Sequence, residues 1–295
     1  MSSQYIVKWG NILQDNYNYG ATISFEQNGA VTYSAPLMPP SLCIKSWYSQ
    51  RNFQLSRNTP YLPILEPNKK YQLQVQLELS ETSAIQVKIL FFDRYNTMVE
   101  ELFFSQLTEA FTFPEKAVHY EIQLINKHHQ QIIFYQLVIT ELDLYERYEQ
   151  QDRKQTDLWY YPNRLSQTSH IQLIFLVKKN QVQHLQFTTH SDYLFCLIDP
   201  EKELDMVALS KAIYTILVKK NLRELTFSIT KEIDYYNLPS EVYAIPRIMN
   251  FLLSNKMVTE PQEVQGLAYL DQKLDEMQVS IQVLQHFLLE NSKGK

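Results

Sequence analysis

The sequence predicts an α+β protein with several domains: an antiparallel β-sandwich, then a small α/β module and a C-terminal heptad helix. Three observations lead to this prediction. Apolar and polar residues alternate over much of the first half of the chain, which is typical of half-buried strands. Strand-like and helix-like segments alternate after residue 165. Beyond residue 260, apolar side chains recur with a heptad period.

The centre of the predicted sandwich lies between residues 71 and 104. Apolar residues there alternate with glutamine or glutamate, at Tyr71, Leu73, Val75, Leu77 and Leu79. A strand with this pattern turns one face to the core and the other to water. The next run, 85–92, is apolar on more of both faces, and a further apolar run covers 98–104. These runs indicate a meander that feeds a sheet-on-sheet core.

Further strands are predicted on both sides of this meander. Asn28-Gly29 between two strand-like runs is a strong hairpin signal, because both residues tolerate a positive φ. Pro36, Pro39 and Pro40 end that hairpin. Together with 42–48, 118–124 and 132–139, the runs make about eight strands, which favours a sandwich or jelly roll over a barrel.

The change of composition after residue 141 sets the predicted domain limits. We expect the β-sandwich over 1–145, a polar linker over 146–165, the small α/β module over 166–260, and an amphipathic helix with a tail over 261–295. In the α/β module, a helix over 205–220 has an apolar stripe along one side, and a second helix is predicted over 240–253.

The heptad segment is the candidate for partner binding. Its apolar positions are Leu267, Leu270, Leu274, Met277, Ile281, Leu284 and Leu288. A continuous apolar stripe of this kind must be covered by another surface. Two alternatives remain open, since the helix can dock on a partner or on the second module of its own chain.

Composition narrows the class of protein. A formal net charge of −5 provides no basic surface for nucleic acid, so we expect no nucleic-acid partner. No apolar run is long enough to cross a bilayer, and residues 1–10 lack a secretion-signal pattern. We therefore expect a cytoplasmic protein. Among only five glycines, none lies between Gly29 and Gly266, so glycine-rich phosphate loops are not expected there.

The usual sequence signatures of enzymes and metal sites are not found. His128-His129 lies between strand-like runs, where neighbouring side chains face opposite ways and seldom share a metal. Glu100-Glu101 lies within a strand, so the two acids do not face one glycosidic bond. The sequence therefore predicts no catalytic residues, no metal and no cofactor.

Aromatic residues at strand ends are the candidates for carbohydrate binding. Flat rings stack on sugar faces while amide and guanidinium groups bond the hydroxyls. The candidates of this type are Trp47, Tyr48, Arg51, Asn52 and Tyr61. The alternative is that these rings pack in the core or between domains.

A dispersed pattern of Pro, Trp and Arg residues resembles a known family. The pattern comprises Trp9-Gly10, Tyr19-Gly20, Pro36-Leu37-Met38-Pro39, 47–54, Arg57, Pro60, 62–65 and 120–126. It is similar to the third accessory secretory protein of the accessory Sec system of Gram-positive bacteria. The resemblance covers about the first half of the chain, and it implies a sandwich like those of carbohydrate-binding modules.

The resemblance also implies a non-enzymatic role in the export of glycosylated serine-rich repeat adhesins. Implied partners are the first and second accessory secretory proteins, the accessory Sec motor ATPase and the glycosylated adhesin itself. Any attachment to the membrane would be peripheral, through the translocase. The leading hypothesis is an interaction protein that assembles this complex, and direct binding of the glycan by the sandwich is left open. The alternatives are a stand-alone intracellular carbohydrate-binding module and an enzyme of unknown chemistry.

Overall fold

The computed structural model describes residues 2–26, 29–52, 54, 57–79, 84–149, 157–165, 170–188, 190–219, 224–229, 245 and 257–259. The chain forms two compact units, which are described separately. The first unit contains Met1–Glu146 and Lys179–Thr188, and the second contains Arg147–Lys178 and Thr189–Lys295.

The first unit is built almost entirely of strands. In chain order they are β1 Ser2–Val7, β2 Thr22–Phe25, β3 Val31–Ser34, β4 Cys43–Tyr48, β5 Lys70–Leu79, β6 Ile85–Phe92, β7 Met98–Phe104, β8 Thr108–Thr112, β9 His119–Asn126 and β10 Ile132–Glu141. A short 3-10 helix, Leu13–Asp15, precedes β2, and helix α1, Leu142–Arg147, follows β10.

The second unit combines strands and a helix. Its described elements are β11 Leu158–Tyr161, β12 His170–Val177, β14 Asp192–Ile198, helix α2 Met206–Lys219, β15 Glu224–Ile229 and β16 Met257–Thr259. The strand between β12 and β14, β13 Val182–Phe187, belongs to the first unit.

Two antiparallel sheets form the predicted sandwich. Within the described residues, one sheet has seven strands in the order β13-β1-β10-β3-β2, with β5 also paired to β10 and β8 paired to β5. The other sheet has the order β4-β9-β6-β7. Trp47 of the second sheet stacks on Phe134 of the first, with ring centroids 5.4 Å apart. The sheets therefore share one core, which confirms the predicted sandwich.

The alternation of β5 produces the predicted half-buried strand. Tyr71, Leu73 and Val75 point into the core and are at most 4% exposed. The β5–β10 register is irregular between Phe134 and Gln136, as at a β-bulge. Burial of large apolar side chains contributes roughly 1.5–3 kcal/mol each.

The second unit confirms the small α/β module predicted from strand and helix patterns. β14, β12, β15 and β16 are parallel neighbours in that order, and β11 is added antiparallel to β14. Helix α2 lies between β14 and β15 in the chain, as a parallel connection requires. Met206 and Ile213 of the predicted helical stripe are buried.

The division into units differs from the predicted domain limits in two places. β13 lies inside the range assigned to the α/β module, yet it pairs with β1, for example Gln4 with Leu185. β11 lies inside the predicted linker over 146–165 and belongs to the second unit's sheet. Alternation of apolar and polar residues identifies a strand, but it does not determine which sheet that strand joins.

Two predicted segments lie mostly or wholly outside the described residues. These are the helix over 240–253, apart from Ile245, and the heptad segment with its seven apolar positions. In the part of the chain that the structure describes, no helix has the length and apolar character needed to span a membrane.

Candidate functional site

The structure separates the five predicted carbohydrate-binding residues by exposure. Trp47 and Tyr61 are buried, at 0% and 2% exposed. Tyr48 and Arg51 are half-buried and lie together, with the guanidinium carbon 4.4 Å from the ring centroid. Asn52 is exposed. The predicted site is therefore a partly exposed group of three residues above a buried aromatic core.

The prediction for Trp47 requires correction, because a ring without exposed surface has no face to offer a sugar. Trp47 packs edge-on against Trp9, with centroids 5.9 Å apart, and stacks on Phe134. Its indole nitrogen Nε1 donates a hydrogen bond to the carbonyl of Lys8, 3.0 Å away. The core interpretation that the sequence left open is the right one for this residue.

Tyr61 is likewise a packing residue. Its ring lies against the backbone of Gly10, which adopts a φ of +78°. A Cβ at Gly10 would approach the Tyr61 ring to 2.5 Å, so only glycine fits between this turn and the ring. The amide of Tyr61 donates to the carbonyl of Tyr48 at 3.1 Å, which ties the loop to the end of β4.

Arg51 also belongs to a buried group of charges, here called the Asp15 cluster: Asp15, Lys45 and Arg51. An Nη atom of Arg51 donates a short hydrogen bond to the carboxylate of Asp15. The ammonium Nζ of Lys45 lies 3.9 Å from the same carboxylate oxygen. The three side chains are 4%, 0% and 9% exposed, in that order. Two cations thus share one carboxylate away from water.

The 3-10 helix brings Asp15 to this position. Asn16 forms an isolated antiparallel bridge with Lys45, and the amide of Tyr17 donates to the carbonyl of Ile44 at 2.9 Å. These contacts place residues 15–17 along the edge of β4. The ion pair and backbone bonds together fasten the 3-10 helix to the sheet.

Lys45 lies among aromatic rings. Its Nζ is 5.7 Å from the ring centroid of Trp9 and 5.8 Å from that of Trp47, within cation–π range. It has no hydrogen-bond acceptor among the described residues. Burial lowers the pKa of Lys45 from 10.5 to about 8, despite the attraction of Asp15.

This pKa predicts a stability that depends on pH. Between about pH 8 and 10.5 the folded protein loses the Lys45 proton while the unfolded chain keeps it. The contribution of Lys45 to stability therefore rises with pH across this window, by about 3 kcal/mol at 1.36 kcal/mol per pKa unit. The free energy of unfolding of Lys45→Met should lack this rise when it is measured by urea denaturation at a series of pH values.

Lys70→Met is the matched control, because Lys70 is an exposed lysine of the same unit. Its unfolding curve should follow wild type at every pH. Parallel pH profiles for wild type and Lys45→Met would show that the Lys45 ammonium is not desolvated in the folded protein.

Tyr48 and Asn52 form the outward part of the site. Burial raises the pKa of Tyr48, with a smaller contribution from the carboxylate of Glu121, its partner across the β4–β9 pair. The phenol therefore remains neutral near pH 7 and can both donate and accept a hydrogen bond. With Arg51 over its ring, Tyr48 presents a polar surface rather than an open stacking face.

The remaining polar candidates have structural contacts. Asn126 accepts at Oδ1 from the backbone amide of His129 at 3.0 Å, and the same oxygen lies 2.7 Å from Nδ1 of that buried ring. Glu101 pairs with Lys88, whereas Glu100 lines a groove on the core side of β7. Among the described residues, no group of three or more His, Cys, Asp or Glu side chains is arranged to hold a metal ion.

Sequence reasoning missed Asp15 and Lys45. One signal for Lys45 was available: it lies two residues before Trp47 in β4, and a period of two places both on the same face. Once Trp47 is assigned to the core, Lys45 must be buried too. Asp15 carries no comparable signal, since its position depends on how the 3-10 helix folds over β4.

Comparison with known proteins supports the resemblance noted in the sequence. The family model described as "Accessory Sec secretory system ASP3" matches residues 16–141, from the end of the 3-10 helix to the end of β10. The match therefore covers most of the sandwich.

Relatives with the same accessory Sec name occur in two organisms. The protein of Streptococcus gordonii is 32% identical over 126 residues, which are 43% of this chain and 79% of the relative. That of Staphylococcus aureus is 30% identical over 136 residues, 46% of this chain but only 42% of the longer relative.

A crystal structure of accessory secretory proteins 1, 2 and 3 of Streptococcus pneumoniae contains a chain that is 31% identical to this one. The likeness has a TM-score of 0.45 and covers 46% of this chain and 94% of that one. The identity to the Streptococcus gordonii relative, over most of its length, establishes the relationship. The chain therefore belongs to this accessory Sec secretory system family.

Proposed function

We propose that this chain is a non-enzymatic subunit of the accessory Sec system that assists the export of glycosylated serine-rich repeat adhesins by assembling partner proteins. The observation that carries the proposal is the family match over residues 16–141. The Asp15 cluster supports a non-enzymatic protein, because its three charged side chains are bound to one another beneath the surface. These contacts hold the 3-10 helix against the edge of β4.

The proposed partners are the first and second accessory secretory proteins. The Streptococcus pneumoniae crystal structure is one of accessory secretory proteins 1, 2 and 3, which makes the first two of these the first partners to test. The accessory Sec motor ATPase and the glycosylated adhesin are proposed to meet this assembly at a later step. The proposed place of action is the cytoplasm, with contact to the membrane only through the translocase.

Co-purification tests this assembly role. The full chain should elute with purified accessory secretory proteins 1 and 2 from the same genome as one complex in size-exclusion chromatography with light scattering. Binding should persist at micromolar concentration, which corresponds to about 8 kcal/mol of binding free energy. Separate elution of three folded proteins at that concentration would contradict the proposal.

A second proposed function is direct binding of glycan. It is favoured by one arrangement: β4 ends at Tyr48, the Arg51 guanidinium that is held by Asp15 lies over the Tyr48 ring, and the exposed Asn52 follows Arg51 in the chain. Such groups bond sugar hydroxyls when they are held on a rigid strand end. This function is compatible with assembly, since an export subunit can bind the glycan of its substrate.

Retention on immobilised glycosylated adhesin fragment tests glycan binding. Tyr48→Ala should lower retention severalfold while the circular dichroism spectrum stays like that of wild type and the melting temperature falls by only a few degrees, as about 1 kcal/mol of lost stability requires. Tyr95→Ala is the matched control, because Arg94 lies over that exposed ring at 5.2 Å in the same kind of pair. Equal retention of both variants and wild type would exclude Tyr48 from the glycan contact.

A further inference from the structure

The sandwich has an open groove along one edge. The groove has a volume of about 470 Å³ and lies between β7 of one sheet and β8 of the other. Leu102, Phe111 and Phe113 supply apolar lining, while Glu100 and Lys70 supply charge. This feature is called the β7–β8 groove below.

Among the described residues, each of the two strands that border the groove has one edge without a paired strand. Over the described part of the chain, β7 pairs only with β6, and β8 pairs only with β5. The other edge of the four-stranded sheet is different, because β4 is covered by Asn16 and Tyr17. The backbone donors and acceptors along the outer side of β7 are therefore available to another strand.

β7 also exposes apolar side chains, whereas edge strands that avoid pairing often expose charged ones. Met98, Val99 and Phe103 are 54%, 37% and 55% exposed. Val99 has no partner residue on β6, because the register shifts there as at a β-bulge. The stretch from Glu100 to Phe104 is regular, with successive side chains alternating between the groove and the outer face.

The ends of β7 are held by side-chain bonds to the backbone. Oδ1 of Asp93 accepts hydrogen bonds from the amides of Tyr95 and Thr97, at 2.8 and 2.9 Å. At the other end, Oε2 of Glu109 accepts from the amides of Ser105 and Gln106, at 3.0 and 3.3 Å. The strand is thus ordered before any partner arrives, which lowers the entropy cost of binding.

The charged residues of the groove indicate which side chains a bound strand would carry. Glu100 lies on the β7 side and Lys70 on the β5 side, and among the residues described neither forms an ion pair. A strand added beside β7 would direct alternate side chains into the groove. A basic side chain in one of those positions meets Glu100, and the apolar lining accepts its neighbours.

We propose that the β7–β8 groove binds an extended segment of a protein partner, which adds as a strand to β7 and places a basic side chain against Glu100. The identity of the partner rests on the proposed function: the segment belongs to accessory secretory protein 1 or 2. The free edge supplies affinity through backbone hydrogen bonds, and the groove selects the side chains.

Hydrogen exchange of the full chain, alone and with purified accessory secretory proteins 1 and 2, tests strand addition directly. In the complex, those backbone amides of residues 100–104 that are not bonded to β6 should gain protection relative to the isolated chain. Binding should weaken about tenfold or more in Glu100→Lys and in Phe103→Lys. Matched controls are Glu26→Lys and Phe25→Lys, which make the same changes at the exposed end of β2, another edge strand.

The outcomes separate this inference from the proposed function. If wild type forms no complex with the two proteins, the proposed function fails. If the complex forms, but the protection of residues 100–104 does not increase and the Glu100 and Phe103 variants bind like their controls, the groove is not the docking site. Protection that grows with the concentration of the isolated chain would assign the groove to a second copy and overturn the partner assignment.

Discussion

Trp47→Ala should lower the free energy of unfolding by about 3–5 kcal/mol, the range for removal of a large buried aromatic side chain. The ring has no exposed surface and contacts both Trp9 and Phe134 across the two sheets. Its removal also opens space beside the Lys45 ammonium, which loses one of its two cation–π contacts. Chemical denaturation monitored by circular dichroism measures the loss.

The neighbouring residue is the control for this prediction. Tyr48→Ala changes a half-buried ring on the opposite face of the same strand, so its cost should be about 1 kcal/mol. If Trp47→Ala unfolds no more easily than Tyr48→Ala, Trp47 does not pack between the sheets. A role of Trp47 at the surface would then have to be considered again.

Asp15→Ala should lower the free energy of unfolding by about 3–5 kcal/mol, because it leaves the cations of Lys45 and Arg51 buried without their counter-ion. The loss should be largest near pH 7, where Lys45 is charged, and smaller above pH 8, where its proton dissociates. Denaturation of the variant at a series of pH values measures both effects.

A double-mutant cycle distinguishes this charge effect from lost packing. Lys45→Met in the Asp15→Ala background should recover part of the stability, since only the Arg51 cation then lacks a partner. Asp143→Ala is the control, because Asp143 is an exposed carboxylate of the same unit and should cost little. Additive effects of the Asp15 and Lys45 substitutions would show that the two groups do not interact.

Local alternation was enough to predict most of the sandwich. The run from Tyr71 to Leu79 has a clean period of two, and its strand has the predicted bounds to within one residue. β8, with the sequence TEAFT, has a single large apolar residue, Phe111, and gives no such pattern. Its strand form depends on pairing with β5, which is a long-range interaction that propensity does not encode.

The candidate site was predictable only in part, for a related reason. The sequence singled out Trp47, Tyr48, Arg51, Asn52 and Tyr61 as candidates for carbohydrate binding, and that role stays a prediction for Tyr48, Arg51 and Asn52. Whether each ring faces water or the core depends on the partner sheet, and that sheet is formed by residues distant in sequence. Asp15 reaches Arg51 from a separate segment, so no spacing in the sequence predicts their ion pair.

Because β13 follows β11 and β12 in the sequence, the β1–β13 pair can form only late in translation. The chain finishes β10 and α1, enters the second unit to form β11 and β12, and only then supplies the strand that pairs with β1. During translation, β1 can pair with β10, but its other edge stays unpaired until β13 is synthesised. A fragment of residues 1–146 would keep β1 in that state, so we expect such a fragment to aggregate through this edge.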